Sequence, residues 1–219
     1  MLPADAGNQD LLEGVAGHLE RGGLLGYPTE TVYGLGGRVD RDRIAALRAL
    51  KGRGEGKPFL ILVPTVVGIA ESGLEWSASA ERLAEAFWPG PLTLVLRDPE
   101  GRHPQGVRGP SGGVAVRLSP APFVRALMEV WRRPLLSTSA NPAGTVPART
   151  AAGVRDSLVG REGTSRLWIL DGGPQPASEP STLVDCTGPR PGLLRRGAIP
   201  LEALQAVLPE LEDRSSSSG

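Results

Sequence analysis

The sequence predicts an α/β fold, a mixed and twisted open sheet with helices packed on it, from three observations. Segments with apolar residues at helical spacing alternate with short runs rich in Val, Ile and Leu, the pattern of strands separated by covering helices. Between residues 167 and 195 the strand-like runs follow one another without a helix, which implies some antiparallel pairing. No self-similarity at a fixed period appears, which argues against a solenoid or propeller. A chain of 219 residues with 40% hydrophobic content can bury one sizeable core. The reading is a single domain over residues 1–212, followed by a disordered Ser-rich tail at 213–219.

Each element has a local cause. Leu11, Leu12, Val15 and Leu19 form one stripe over residues 8–21, and Gly22-Gly23 stops that helix. Leu24 to Tyr27 reads as a short strand ended by Pro28. Ile44, Leu47 and Leu50 mark a second helix that starts near Asp40 and ends at Gly52. Further helices are expected at 79–88, 120–131, 150–159 and 201–211, the third of these six opening on Ser79 and closing at Pro89-Gly90. Strands are expected at 59–63, 91–97, 114–118, 135–137, 167–170, 182–186 and 193–195. Residues 98–112 and 172–181, rich in Pro and Gly, read as two long loops of the kind that often carries function.

Composition excludes several function classes. A formal net charge of zero lacks the single-sign field of a general nucleic-acid or membrane binder. Aromatics at 4% give no base-stacking platform. No long apolar run or signal-like leader is present, so a cytoplasmic location and no membrane partner are expected. Cys186, the lone cysteine, reads as a small core residue in a strand. His18 and His103 read as surface residues, without partners at metal-ligand spacing. An enzyme built this way works by charge and positioning rather than by histidine base catalysis.

The positive charge is distributed unevenly. Only Lys51 and Lys57 are lysines among 24 basic residues, and both fall in Lys51-Gly52-Arg53-Gly54-Glu55-Gly56-Lys57. Compact ammonium groups interleaved with glycines suit a phosphate cradle; a solvated basic loop is the plainer alternative. Four more segments join a strand to a polar loop: Tyr27 to Gly36, Val116-Arg117, Ser137 to Asn141, and Leu194 to Gly197. Singly, each suits a cap, a turn or a structural ion pair. Together they suggest one ligand site at the edge where loops after parallel strands collect. Neither of the usual glycine-rich nucleotide fingerprints is present.

Seven segments then occur in a familiar order. They are Tyr27-Pro28-Thr29-Glu30-Thr31-Val32-Tyr33-Gly34-Leu35-Gly36, Lys51-Gly52-Arg53 with Lys57-Pro58, Trp88-Pro89-Gly90-Pro91-Leu92-Thr93, Val114 to Arg117, Ser137 to Asn141, Ser181 to Asp185, and Leu194 to Gly197. Over residues 8–200 the chain resembles the YrdC-like family, the L-threonylcarbamoyladenylate synthases, in its single-domain form. It departs from the pattern at Gly54, at Pro120-Ala121-Pro122 and at Arg196, without losing a charge expected to touch substrate.

The resemblance implies a reaction of L-threonine, bicarbonate and ATP to threonylcarbamoyl-AMP and pyrophosphate, with ATP as a substrate and Mg²⁺ as its companion ion. It also implies partners among the tRNA-modifying enzymes that consume the adenylate, and leaves room for weak RNA contact. Carried over residue by residue, Lys51 and Arg53 are the catalytic pair. Arg53, Lys57, Ser139, Asn141 and Arg195 bind ATP, while Thr31, Arg117, Thr138 and Ser181 hold threonine. No protein-held metal is expected. Two competing readings are a non-catalytic RNA-binding module and a carbamoyl-adenylate-forming domain.

Overall fold

Strand residues of this chain alternate between two cores, and that alternation sets the architecture. The computed structural model describes residues 1–217. Among these, the strands are β1 (Leu2–Pro3), β2 (Leu24–Tyr27), β3 (Gly34–Arg38), β4 (Leu60–Leu62), β5 (Leu92–Arg97), β6 (Gly113–Arg117), β7 (Leu135–Ser139), β8 (Leu167–Asp171), β9 (Thr182–Asp185), β10 (Gly192–Arg195) and β11 (Glu212–Asp213). They form one sheet in the order β1-β8-β2-β3-β7-β4-β6-β5-β9-β10-β11. The α-helices are α1 (Gln9–Glu20), α2 (Arg41–Lys51), α3 (Val67–Glu71), α4 (Ala78–Phe87), α5 (Pro122–Trp131), α6 (Ala151–Leu158) and α7 (Leu201–Val207).

The sheet is mixed, as expected. β2–β3, β3–β7, β7–β4, β6–β5 and β9–β10 pair antiparallel, and the remaining neighbours pair parallel. Leu24, Leu35, Ile61 and Leu136 pack into one core with Ile44 and Leu47 of α2, Leu83 of α4, Val154 of α6 and Leu204 of α7. Their neighbours Leu25, Leu62 and Leu135 point the other way, onto Leu12, Val15 and Leu19 of α1 and Phe123, Leu127 and Trp131 of α5. Successive strand residues face opposite sides, so the sheet is covered on both.

The helix ends follow from local chemistry. Asn8, Asp40, Ser77 and Thr150 each accept a first-turn backbone N–H with the side chain, satisfying a donor that the helix itself leaves unpaired. α2 ends at Gly52, whose φ of 62° is left-handed. That turn redirects the chain immediately after Lys51.

Several features differ from the sequence reading. β3, read as part of a polar loop, is a central strand whose glycines are imposed by its neighbours. A Cβ on Gly34 would lie 2.8 Å from the Tyr27 ring, and one on Gly36 would lie 2.1 Å from the Leu136 carbonyl oxygen. Glycine is disfavoured in strands and hides the period-2 pattern. The last helix stops at Val207, ahead of Pro209, although the sequence reading carried it to residue 211. Where a disordered tail was expected from residue 213, Glu212–Asp213 pair with β10 and Ser215–Ser217 form a 3₁₀ turn. Asp213 holds that turn by accepting from the Ser215 backbone N at 3.0 Å; Ser218 and Gly219 lie outside the described residues.

The histidines are also not surface groups. His18 is buried, stacked on Trp168 at 4.1 Å and hydrogen-bonded through Nε2 to the Leu24 carbonyl. His103 lies against the buried carboxylate of Asp98, which accepts from the backbone N–H groups of Arg102 and His103 at 3.0 Å each. Asp98 thereby organises the 98–112 loop from inside.

Candidate active site

The turn after α2 fixes Arg53 by engaging all three nitrogens of its guanidinium, one bond each. Nε donates to the Lys57 carbonyl at 3.2 Å, Nη2 to the Pro58 carbonyl at 2.9 Å and Nη1 to the Thr138 hydroxyl at 3.1 Å. The guanidinium also stacks 4.8 Å above the Phe59 ring. Burial, and then the charges of Arg48 and Arg195, lower its pKa. Lys57 itself is exposed on the same turn, where its carbonyl rather than its ammonium contributes to this arrangement.

Lys51 is buried at 3% exposure, and its ammonium faces the loop after β7. Nζ donates to the carbonyl oxygens of Ser139 and Asn141, the latter at 2.6 Å, and approaches Asn141 Oδ1 at 3.5 Å. Burial, followed by the nearby Arg53 charge, pushes its pKa down to about 7. The carboxamide of Asn141 is turned inward, donating to the Pro142 carbonyl at 2.9 Å and the Thr145 carbonyl at 2.5 Å. β3 brings the Thr31 loop to this point, because Gly34 pairs with Ser139.

Arg195 ends β10 and grips the residue that precedes β9. Its Nη2 donates to the Ser181 carbonyl at 2.8 Å and the Ser181 hydroxyl at 3.1 Å, and the same hydroxyl meets Thr93 Oγ1 at 2.8 Å. Arg117 ends β6, with Nε on the Gly90 carbonyl at 3.2 Å and Nη2 on the carboxylate of Glu30. Burial is the main cause that lowers Arg117 to about 10, and Arg195 adds to it. Arg195 therefore bears electrostatically on both Arg53 and Arg117, and this neighbourhood of three guanidiniums is called the basin.

The strand ends do not gather at one edge as the sequence reading supposed. Leu62 pairs with Arg117 while Leu60 pairs with Ser137, so β6 and β7 end at opposite ends of short β4. Mixed strand direction is the reason; the basin is closed by long side chains and not by a shared row of loops.

The family profile described as Sua5_yciO_yrdC, telomere recombination, matches residues 18–197. The chain belongs to this family. It is 36% identical over 197 residues to the threonylcarbamoyl-AMP synthase of Pyrococcus abyssi, a match covering 90% of this chain and 56% of that protein. It is 39% identical over 173 residues to the threonylcarbamoyl-AMP synthase of Chromohalobacter salexigens, covering 76% of this chain and 88% of that one. Among solved structures, P. abyssi Sua5 complexed with L-threonine superposes with a TM-score of 0.87 at 33% identity, over 97% of this chain and 61% of that chain. E. coli YciO, 23% identical with a TM-score of 0.76 over 90% of this chain and 94% of that chain, shares the fold. The chain thus spans little more than half the length of its P. abyssi relative.

Seen as a Sua5/YrdC domain, the basin has one unexpected property. Each of two hydroxyls assigned to threonine is bonded to a guanidinium assigned to phosphate: Thr138 to Arg53, and Ser181 to Arg195. Thr31 is buried beside Thr29 at 3.2 Å between the hydroxyl oxygens, and Ser178 of the 172–181 loop donates to its carbonyl at 2.8 Å. The sequence reading assigned no individual contact in the site to Glu30, Ser119, Thr93 or Gly90. Glu30, Gly90 and Thr93 stood inside quoted segments, but only the folded chain shows what they touch.

A protein-held metal does not fit this donor set. Among the described residues no group of three His, Cys, Asp or Glu side chains could hold an ion. The carboxylate in the basin, Glu30, is already shared between Arg117 and the Ser119 hydroxyl at 2.8 Å.

Proposed function

We propose that this chain makes threonylcarbamoyl-AMP and pyrophosphate from L-threonine, bicarbonate and ATP, acting as a nucleotidyltransferase. The observation that carries the reading is the interleaving of hydroxyls and guanidiniums in one basin. The threonine amine captures carbon dioxide, derived from bicarbonate, and loses a proton to give a carbamate. A carbamate oxygen then attacks the α-phosphorus, a P–O bond forms, and pyrophosphate leaves with the electron pair of the broken P–O bond. No side-chain nucleophile is required. Such a reaction needs the amino acid beside the α-phosphate and fixed cations around the developing charge.

Arg53 and Arg195 are suited to the phosphates, because among the described residues neither has a carboxylate within ion-pair distance and both are held by neutral oxygens. Arg117 is suited to the threonine carboxylate. Ser139 and Asn141 lie on the loop that Lys51 anchors, where backbone and hydroxyl groups can meet the nucleotide. Any Mg²⁺ would arrive with the ATP phosphates. The product would pass to enzymes that load the threonylcarbamoyl group onto tRNA, in the cytoplasm; no described helix is long and apolar enough to cross a membrane. The match to HypF, at 19% identity, is one of fold alone.

The test is pyrophosphate release from ATP with each amino acid in turn, with and without bicarbonate. Turnover is expected only with threonine and bicarbonate together. Equal release without an amino acid, or with valine in place of threonine, would overturn the reading, since a pocket that pairs a substrate hydroxyl rejects an analogue lacking it.

A further inference from the structure

We propose that Glu30 is an internal place-holder for the substrate carboxylate: it occupies the Arg117 clamp until an amino acid displaces it. The inference rests on the reading of Arg117 as the residue that binds the threonine carboxylate.

The contacts of Arg117 set it apart from the other two basin arginines. Arg53 and Arg195 donate to carbonyls and hydroxyls, whereas Arg117 donates to a full negative charge. Its side-on edge is filled, with Nε on the Gly90 carbonyl and Nη2 on Glu30 Oε1. The second carboxylate oxygen of Glu30 accepts from Ser119 Oγ at 2.8 Å. Glu30 thus receives two donors as a bound carboxylate ligand would. The pair is largely out of water, with side-chain exposures of 8% for Arg117 and 20% for Glu30.

A second carboxylate cannot join this arrangement without cost. Bidentate binding to a guanidinium needs two parallel N–H groups, and every two-pronged edge of Arg117 that includes Nη2 adjoins Glu30. Two carboxylates on one buried cation repel each other strongly. One must leave, and the Glu30 side chain is the one with a route out. It sits between β2 and β3 in a segment without regular structure. The turn around it is closed by bonds that do not involve its side chain: Thr29 Oγ1 donates to the Val32 carbonyl at 2.6 Å and accepts from the Thr31 backbone N at 3.2 Å. The segment is tied down elsewhere by Ser178 on the Thr31 carbonyl and by the Tyr33 backbone N on the Ala148 carbonyl. A rotamer change of Glu30 alone vacates the clamp and leaves these bonds intact.

Two consequences follow. The clamp is charge-balanced while it waits, so it does not draw in other anions, and a ligand must bring its own carboxylate to compensate Arg117. Apparent affinity for threonine is lowered by the fraction of molecules in which Glu30 holds the clamp.

The decisive experiment is calorimetric titration of L-threonine, with L-threoninamide as a carboxylate-free probe, into the wild-type chain and Glu30→Gln, Ser119→Ala and Arg117→Gln. Glu30→Gln is expected to lower the threonine Kd about tenfold, as for a competent state populated near one-tenth, and to leave threoninamide unchanged. Ser119→Ala, which loosens Glu30 without touching Arg117, should tighten threonine several-fold and decides the matter if Glu30→Gln does not fold. Threonine binding to folded Glu30→Gln or Ser119→Ala that is equal to or weaker than wild type would overturn the place-holder, as would an equal gain for threoninamide. Failure of the underlying reading is separate: Arg117→Gln would then bind threonine as well as the wild type does.

Discussion

The ammonium of Lys51 lies 2.6 Å from the carbonyl oxygen of Asn141, ninety residues away in the chain. With its second contact on the Ser139 carbonyl, this lysine organises the loop that follows β7. The lysine cluster singled out a position that needs a point charge, but the oxygens around it belong to the protein's own backbone. We propose that Lys51, in addition to its expected catalytic part, positions Ser139 and Asn141 through these contacts.

Lys51→Arg is therefore expected to slow pyrophosphate release by about 100-fold or more, because a planar fork cannot replace a compact donor enclosed by two carbonyls. Lys51→Met should in addition lose about 1–3 kcal/mol for each carbonyl left buried without a partner. Urea midpoints and steady-state rates measure the two effects. Near-normal turnover by the arginine variant would return this turn to an ordinary basic loop.

Stability should depend on pH through the same residue. Lys51 is depressed to about 7 in the folded chain by burial and by Arg53, while an unfolded lysine titrates near 10.4. Between those values the unfolded chain binds the proton more readily, so stability rises with pH across the window, by at most about 1.4 kcal/mol per unit. Below pH 7 both states are protonated and the slope disappears. Urea titrations at pH 7 and pH 9 on wild type and Lys51→Met test this; an unchanged slope in the variant would show that the carbonyl bonds offset burial.

Ser181→Ala separates a shared wall from two separate pockets. The Ser181 hydroxyl joins Thr93 to Arg195, so its removal is expected to raise KM for ATP as well as for threonine, each several-fold. A change confined to threonine would mean that the two ligands do not share this contact.

Gly36→Ala probes the strand that the sequence concealed. Its Cβ would press to 2.1 Å on the Leu136 carbonyl oxygen across the β3–β7 ladder. Backbone shift or a broken ladder bond should cost about 1–3 kcal/mol, as overpacking typically does. Chemical denaturation with an unaltered midpoint would count against this packing.

Much of this protein was determined by sequence alone. Helix stripes and caps such as Asn8, Asp40 and Ser77 act within a few residues, so α1, α2 and α4 could be read locally. Strands with a dense apolar pattern, β5 and β7 among them, could be read for the same reason, and the ordered motifs carried the family. What only the tertiary structure decided depends on partners distant in the chain. β3 became a strand because β2 and β7 pair with its two edges, and its glycines are required because Tyr27 and Leu136 leave no room for side chains at Gly34 and Gly36. Lys51 became an anchor because two carbonyls of the β7 loop meet it, and Arg117 acquired a carboxylate because the loop after β2 folds Glu30 onto it. A sequence states which groups can donate or accept; which oxygen each donor meets is set by burial, where every unpaired polar group is costly and the fold must supply its partner.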